Sequence, residues 1–284
     1  MAKFGVIIGK KEKSRELFDK YRGDSEIIFL NKNSDDINEE KLQQNKYKSP
    51  YTNPLLNIDK NENLDAIIVA GGDGQMLRAL HQYYKLNIPF IGINAGSLGF
   101  LMNDKIDNDF ETHLKSSETV ELNPLYMKAI DSTGKMHEKI AFNDIYLHRL
   151  TNQASKLAIK VNNQLEMNEL VADGVIVSSP AGSSAYNFSA GGRVVPLDSR
   201  VICVTPVCPF RPRRWHGAII PNTSEISVEV IDPKWRPVYA VADFNEINNI
   251  HKIEVREEHN ISVKLLFSSN QGLNHRMIKE QFSI

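Results

Sequence analysis

Cysteine, long apolar runs and net charge are all scarce in this sequence, and each shortage removes a class of protein. Cys203 and Cys208 are the only cysteines among 284 residues. They show no Cys/His spacing of a zinc site, and a reduced, intracellular setting is the natural expectation. The apolar run Phe4 to Ile8 is far too short for a signal sequence, and no later run approaches the roughly 20 residues that span a bilayer, so a soluble cytoplasmic protein without membrane contact is expected. With 34 basic and 35 acidic side chains the formal net charge is -1, so no global basic field invites nucleic acid, and any anion binding must be local. Two nucleotide motifs are also missing. Lys10, Lys11, Glu12 and Lys13 follow Gly9 where a G-x-G-x-x-G turn needs further glycines, and no G-x-x-x-x-G-K-[ST] loop occurs.

What is present suggests two modest cores, since hydrophobic residues make up 41% of the chain. Strand candidates at Phe4 to Ile8, Ile27 to Leu30, the run from Ala66 and Ile88 to Ile93 alternate with helical stripes at Glu12 to Tyr21 and from Met76 onward. That alternation predicts an α/β N-terminal domain with a parallel sheet, over residues 1–119. The polar stretch Asn31 to Asn63 allows a short helix near Asp35 to Gln44. It then reads as a mobile loop, Asn45 to Asn63, long enough to act as a lid. From about Val120 alternating runs replace the stripes, with hairpin signals at Asp131-Ser132-Thr133-Gly134 and Asn162-Asn163. Strands at Leu157 to Val161, Gly174 to Ser178, Val201 to Val207, Glu225 to Ile231 and Val238 to Asp243 predict a β-rich C-terminal domain over 120–260. Ile261 to Phe267 and a helix at His275 to Phe282 return to the αβ texture in a tail, 261–284.

The most informative stretch is Leu64 to Leu77. A buried strand runs into Gly71-Gly72-Asp73-Gly74 and a helix follows, the architecture of a phosphate site: glycines admit a ligand to the backbone, and the helix start favours negative charge. An aspartate there can simply cap the helix. Flanked by glycines, Asp73 can instead orient a hydroxyl or accept its proton. A second glycine turn, Gly92 to Phe100, lies at the end of the next strand, where parallel sheets bind ligands. In the second half, Ala141 to Arg149 contains Asn143-Asp144, and Asp173 to Gly192 is a turn dense in hydroxyls followed by Tyr186 and Gly191-Gly192. Small polar groups with one aromatic suit adenine and ribose.

Gly71 to Gly74 resembles the signature of a superfamily of NAD kinases, diacylglycerol-type lipid kinases and phosphofructokinases. The segment Gly92 to Phe100 is similar to the G-x-N-x-G-x-L-G-F segment of that family, and Asp173 to Gly192 closely resembles the D-G-x-x-x-S-T-P-T-G-S-T-A-Y-x-x-S-x-G-G block of NAD kinases. Over essentially its whole length the chain resembles a bacterial ATP-dependent NAD kinase, which phosphorylates the 2′-hydroxyl of the adenosine ribose of NAD to give NADP. The resemblance implies a tail that returns to the N-terminal domain, and a homo-oligomer, dimer or tetramer. It assigns Asp73 to activation of the hydroxyl, and Gly71, Gly72 and Gly74 to the ATP phosphates with Mg²⁺ or another divalent cation carried on those phosphates. Gly74 and Phe100 fall beside NAD, Asn143 on its adenine and Asp144 on its ribose. Asp173, Ala181, Ser184, Ala185, Tyr186 and Ser189 fall around the dinucleotide, and Lys156 and Asn245, with Asp243 beside them, match further NAD contacts by looser alignment. Gln75, Asp144, Ala181 and Val171 depart from the residues usual in the family. A lipid or sugar kinase would need an acyl groove or a sugar-phosphate clamp, neither of which is visible. A non-catalytic NAD(P) sensor is the remaining alternative. The run Pro209 to Trp215, cationic and aromatic, resembles a variant of a family segment and can also be read as an RNA patch, although no wider basic field supports that reading.

Overall fold

A computed structural model of the chain describes residues 2–30, 63–96, 99–106 and 109–269. The helix expected near Asp35 to Gln44, the loop from Asn45 up to its last residue, Ser97 and Leu98 of the second glycine turn, and the helix expected at His275 to Phe282 lie outside those residues. The described chain forms two compact units, one of residues 2–121 with 263–269 and one of Leu122–Ser262.

In the first unit, β1 (Lys3–Ile8) is followed by α1 (Glu12–Tyr21) and β2 (Glu26–Phe29). Next come β3 (Ala66–Gly71), α2 (Asp73–Tyr83), β4 (Phe90–Asn94), α3 (Phe110–Ser116) and β5 (Glu118–Leu122). Strands β1, β2, β3 and β4 pair in parallel, with β1 between β2 and β3 and with β4 on the other edge of β3. Every residue of β3 is buried, which is why it reads as an uninterrupted apolar run rather than an alternating one. Met76, Ala79, Leu80 and Tyr83 form the buried stripe of α2, and the helix runs into a single 3-10 turn, Tyr84–Leu86, that ends at left-handed Asn87. Phe4, Phe18 and Tyr21 gather around Phe110, with ring centroids 5.9 to 6.5 Å from it.

The second unit is an antiparallel sheet, described from β6 (Leu125–Asp131), β7 (Met136–Ala141), β8 (Asp144–Arg149), β9 (Ser155–Val161), β10 (Gln164–Ala172) and β11 (Gly174–Ser178). The single-turn helix α4 (Tyr186–Ser189) precedes β12 (Val201–Val207), β13 (Ala218–Pro221), β14 (Ile226–Val230), β15 (Val238–Ala242) and β16 (Asn245–Glu257). Both expected hairpins form. Asn162 and Asn163 take φ of 50° and 65° in the two-residue turn joining β9 to β10, and Gly134 takes φ of 83° in the turn joining β6 to β7. The long β16 pairs with β15 along its first half and with β14 and β6 along its second. An extra residue around left-handed Asn249 makes that change of partner possible. Ile145 and Leu147 of β8, Val175 and Val177 of β11, and Val228 and Ile253 enter one apolar cluster, so Tyr146 and His148 occupy the other face of β8.

After this excursion β17 (Val263–Phe267) pairs in parallel with β4, completing the first unit's sheet in the order β2-β1-β3-β4-β17-β5. Asn103 secures it: its side-chain NH₂ donates to Gly92 O at 3.0 Å and Leu266 O at 2.9 Å, while its Oδ1 accepts Ser268 N–H at 2.9 Å.

Candidate functional site

In the first unit the site is built at the carboxyl ends of β3 and β4. β3 ends at Gly71, extended Gly72 is the N-cap of α2 without a side-chain cap, and Asp73 is the first helical residue. Its carboxylate does not close back on its own helix as a cap would. It reaches the second glycine turn, accepting Phe100 N–H at 2.8 Å and Leu101 N–H at 3.0 Å. Charge-assisted bonds to backbone donors are among the stronger hydrogen bonds, and two of them hold the carboxylate in one orientation. Gly99 makes room for it, since a Cβ there would lie 3.2 Å from Asp73 Oδ1 and 3.0 Å from Met102 Cγ. The turn is also tied to the first loop by Ala95 N–H donating to Gly71 O at 2.7 Å and by Gly96 N–H donating to Asn94 Oδ1 at 2.8 Å.

The glycines around Asp73 differ in what they do. A Cβ at Gly71 would crowd the Gln75 side chain at 3.0 Å, whereas one at Gly72 or Gly74 would meet nothing within 4 Å. Neither Gly72 nor Gly74 has a positive φ. No backbone or packing demand of the described chain therefore accounts for the missing side chains, and open space lies over both. Phe100 is half-buried, and its placement in this turn contributes one of the two backbone donors to Asp73.

In the second unit the site forms where β8 and β11 run side by side, with Asp144 opposite Ser178. Beyond Ser178 the chain turns through Ala181–Ser184 into α4. Asn143 O accepts Ser179 N–H at 2.9 Å, and Gly182 packs so closely that a Cβ would lie 2.2 Å from that same oxygen. The turn is stapled from inside by Asn187, whose NH₂ donates to Ser183 O and Arg193 O and whose Oδ1 accepts the Thr205 hydroxyl at 2.6 Å. Ala181 is buried, Ser184, Ala185 and Tyr186 are half-buried, and Ser189 is exposed. The Tyr186 ring meets Tyr146 edge-on at 5.2 Å.

Asp243 has a larger part than its place in the sequence suggests. In a left-handed conformation (φ 54°), it accepts backbone N–H bonds from Phe142 at 2.7 Å, Asn143 at 3.0 Å and Asp144 at 3.2 Å, and its own N–H donates to Asp144 O at 3.0 Å. These bonds hold the Asn143–Asp144 segment, against which Gly182 also packs. The available signal was a short turn, Asp243-Phe244, closing an apolar strand. Asn187, another residue the sequence did not single out, sat within the Ser/Gly-rich block.

Two polar side chains in this segment make no hydrogen bond at a key oxygen or carboxyl among the described residues. Asn143 Oδ1 is buried and accepts no hydrogen bond. Asp144, 5% exposed, makes no side-chain hydrogen bond or ion pair with another described residue. Burial pushes its carboxyl up to about 7, and the neighbouring charge of Asp243 adds to the shift. A buried unsatisfied polar group costs about 1 to 3 kcal/mol, so the orphaned Asn143 Oδ1, next to a buried carboxyl, marks a surface suited to a ligand that brings donors. Asp173 is ion-paired with Arg149 at 2.6 Å, Lys156 Nζ bonds Glu169 at 3.0 Å, and Asn245 NH₂ donates to Ala242 O at 3.4 Å. In the Pro209 to Trp215 run, the Arg211 and Arg213 guanidiniums lie 5.6 and 5.1 Å from the Phe210 ring centroid, and Arg211 bridges to Val171 at the end of β10. Among the described residues no group of three His, Cys, Asp or Glu could hold a metal ion.

Known proteins are similar to this chain in sequence and in fold. Residues 20–117 match the family model described as the ATP-NAD kinase N-terminal domain, and residues 142–263 match that of the ATP-NAD kinase C-terminal domain. An NAD kinase of Rickettsia bellii is 50% identical over 221 residues, 78% of this chain and 87% of the relative. The NAD kinase of Rickettsia felis is 50% identical over 228 residues, 80% and 89% of the two chains. Among solved structures, the fold is similar to yeast NADH kinase complexed with NADH, at TM-score 0.72 and 22% identity, covering 99% of this chain and 87% of that one. It is also similar to an NAD kinase from Archaeoglobus fulgidus in complex with ATP, at TM-score 0.68 and 22% identity, covering 97% and 98%. With relatives half identical over most of both chains, and with both domain models matched in order, the chain belongs to the NAD kinase family.

Proposed function

We propose that the chain carries out its family's reaction, transfer of the γ-phosphoryl group of ATP to the 2′-hydroxyl of the adenosine ribose of NAD, with Asp73 as the group that orients and deprotonates that hydroxyl. The observation that carries this reading is the pair of backbone bonds on Asp73: they fix the carboxylate beside the open space over Gly72 and Gly74. A secondary hydroxyl is a poor nucleophile. A carboxylate held within about 3 Å of it gains by orientation and by accepting the proton as the new O–P bond forms. Phosphoryl transfer otherwise needs in-line placement and neutralised charge. Gly71, Gly72 and Gly74, with the start of α2, receive the ATP phosphates, and the divalent cation enters with them as MgATP, the form in which Mg²⁺ usually reaches sites without an all-protein cage.

In the second unit Asn143 and Asp144 bind the adenosine of NAD. The orphaned Asn143 Oδ1 suits the exocyclic amino group of adenine, the Asp144 carboxyl suits the ribose diol, and Ser184, Ala185 and Tyr186 line the same turn. Asp173, Ala181, Ser189, Phe100, Lys156 and Asn245 remain proposed NAD contacts. Lys156 must leave or share Glu169 to serve, and Asp173 must do the same with Arg149. The protein is proposed to work in the cytoplasm as a homo-oligomer.

Purified protein incubated with MgATP and NAD should form NADP, read by an NADP-specific dehydrogenase; NAD binding without turnover would point to the sensor instead. Asn143→Ala should raise KM for NAD about tenfold or more, the effect of losing one buried hydrogen bond, with KM for ATP unmoved. A variant impaired for ATP and normal for NAD would exchange the two nucleotide assignments.

A further inference from the structure

Asp144 is the least satisfied acid among the described residues of the second unit. It is 95% removed from solvent by its 5% exposure, and it makes no side-chain hydrogen bond or ion pair among them. The groups that face it come from three elements. Tyr146 stands next but one along β8 on the same face, with Tyr239 of β15 beyond it at 6.4 Å. Tyr186 begins α4, and Asp243 closes the turn after β15. Both Tyr146 and Tyr186 feel the Asp144 charge. Among the described residues, the charged group that acts on Asp144 itself is the second acid, Asp243.

Asp243 cannot simply move away from Asp144. Three backbone N–H bonds and its left-handed backbone hold its carboxylate against residues 142–144. In so buried a position the Asp144 carboxyl ionises reluctantly, because desolvation and then the neighbouring Asp243 charge both disfavour its charged form. A ribose diol would change that by bringing two O–H donors to Asp144, and hydrogen bonds to a carboxylate favour its charged form and are roughly twice as strong as those to a neutral group.

We propose that Asp144 carries a proton in the free enzyme and releases it when the adenosine ribose of NAD binds, with Asp243 as the positioning residue that makes release conditional on the ligand. The step balances as Asp144–COOH plus NAD giving Asp144–COO⁻·NAD plus one proton to solvent; no bond to carbon or phosphorus changes. This proposal rests on the assignment of NAD adenosine to the second unit. Its consequence is a substrate affinity that depends on pH separately from the chemistry at Asp73. Burial holds Asp144 near 7 in the free enzyme, so the apparent Kd for NAD should be about tenfold weaker at pH 6 than at pH 8, because protons compete with NAD for one group. KM for ATP should stay level over the same range.

Calorimetric titration of the full-length protein with NAD at pH 6.5, in two buffers of different ionisation enthalpy, measures the protons exchanged. Release of a substantial fraction of one proton is expected, falling to zero by pH 8.5. Asp144→Asn should bind NAD with no proton exchange and a flat pH profile, and Asp243→Asn, which removes the repelling charge, should move the profile to lower pH. If Asp144→Asn does not fold, the two-buffer measurement on the unaltered protein decides by itself. NADP formation with pH-independent NAD affinity and no proton release would overturn the carboxyl pair and leave the kinase reading intact. Proton-linked NAD binding without NADP formation would do the reverse.

Discussion

Asp73 shows how one residue can carry two demands. As the first residue of α2 it could have capped the helix, yet its carboxylate accepts the N–H groups of Phe100 and Leu101, so the two glycine turns are joined through the group proposed to act on the hydroxyl. An amide keeps one acceptor oxygen and sets an NH₂ against the second backbone donor. Asp73→Asn should therefore lower kcat by about 10² or more, the scale of a lost general base, and should also lower stability by about 1 kcal/mol through the orphaned N–H. Steady-state kinetics and thermal melts on the same preparation separate the two effects. A variant with normal kcat and a lowered melting temperature would make Asp73 a loop anchor only.

At the scale of the element, Gly74 and Gly182 lack side chains for opposite reasons. Gly74 is helical, half a turn into α2, and a Cβ there would meet only open space. Alanine is the better helix former by about 1 kcal/mol, so Gly74→Ala should leave the melting temperature equal or higher while raising KM for ATP severalfold or more. Retained ATP kinetics would remove Gly74 from the phosphate site. Gly182 is pressed from within, 2.2 Å from Asn143 O to a hypothetical Cβ. Gly182→Ala must therefore push apart the 3-10 turn and the Asn143 segment, at about 1 to 3 kcal/mol. Because the displaced atom belongs to Asn143, the residue proposed to bind adenine, KM for NAD should rise with the loss of stability, measured by the same pair of experiments. An unchanged KM for NAD would show that Asn143 is held by Asp243 alone.

For the whole molecule, the telling feature is that the first unit is assembled from chain segments more than 140 residues apart. β17 reaches the sheet only after the entire second unit has been made, and Asn103 joins it to the chain that follows β4 through three hydrogen bonds, two of them to β17 and the residue after it. Asn103→Ala should cost about 2 to 4 kcal/mol, from lost bonds and from buried carbonyl and N–H groups left unpaired. Hydrogen exchange should place the loss in residues 2–121 and 263–269, with protection in Leu122–Ser262 unchanged. Equal loss in both units would mean that they unfold as one.

The sequence alone determined the classes of element and the chemistry they could carry. β3 was legible because a strand covered on both faces must be apolar throughout, the β9–β10 hairpin because only residues tolerant of positive φ suit its turn, and Asp73 because glycines on both sides of an acid leave few structural uses for it. These are local constraints, set by neighbours within a few positions. Only the tertiary structure decided where Asp73 spends its lone pairs, which glycines are pressed and which are free, and that Asp243 clasps residues 100 positions earlier in the chain. It also placed β17 against β4 and left Asp144 buried beside a second acid. The reason is physical: a hydrogen-bond partner, a desolvation cost and a repelling charge are properties of what lies within a few ångströms in space, and for these residues that neighbourhood is assembled from parts of the chain the local pattern cannot see.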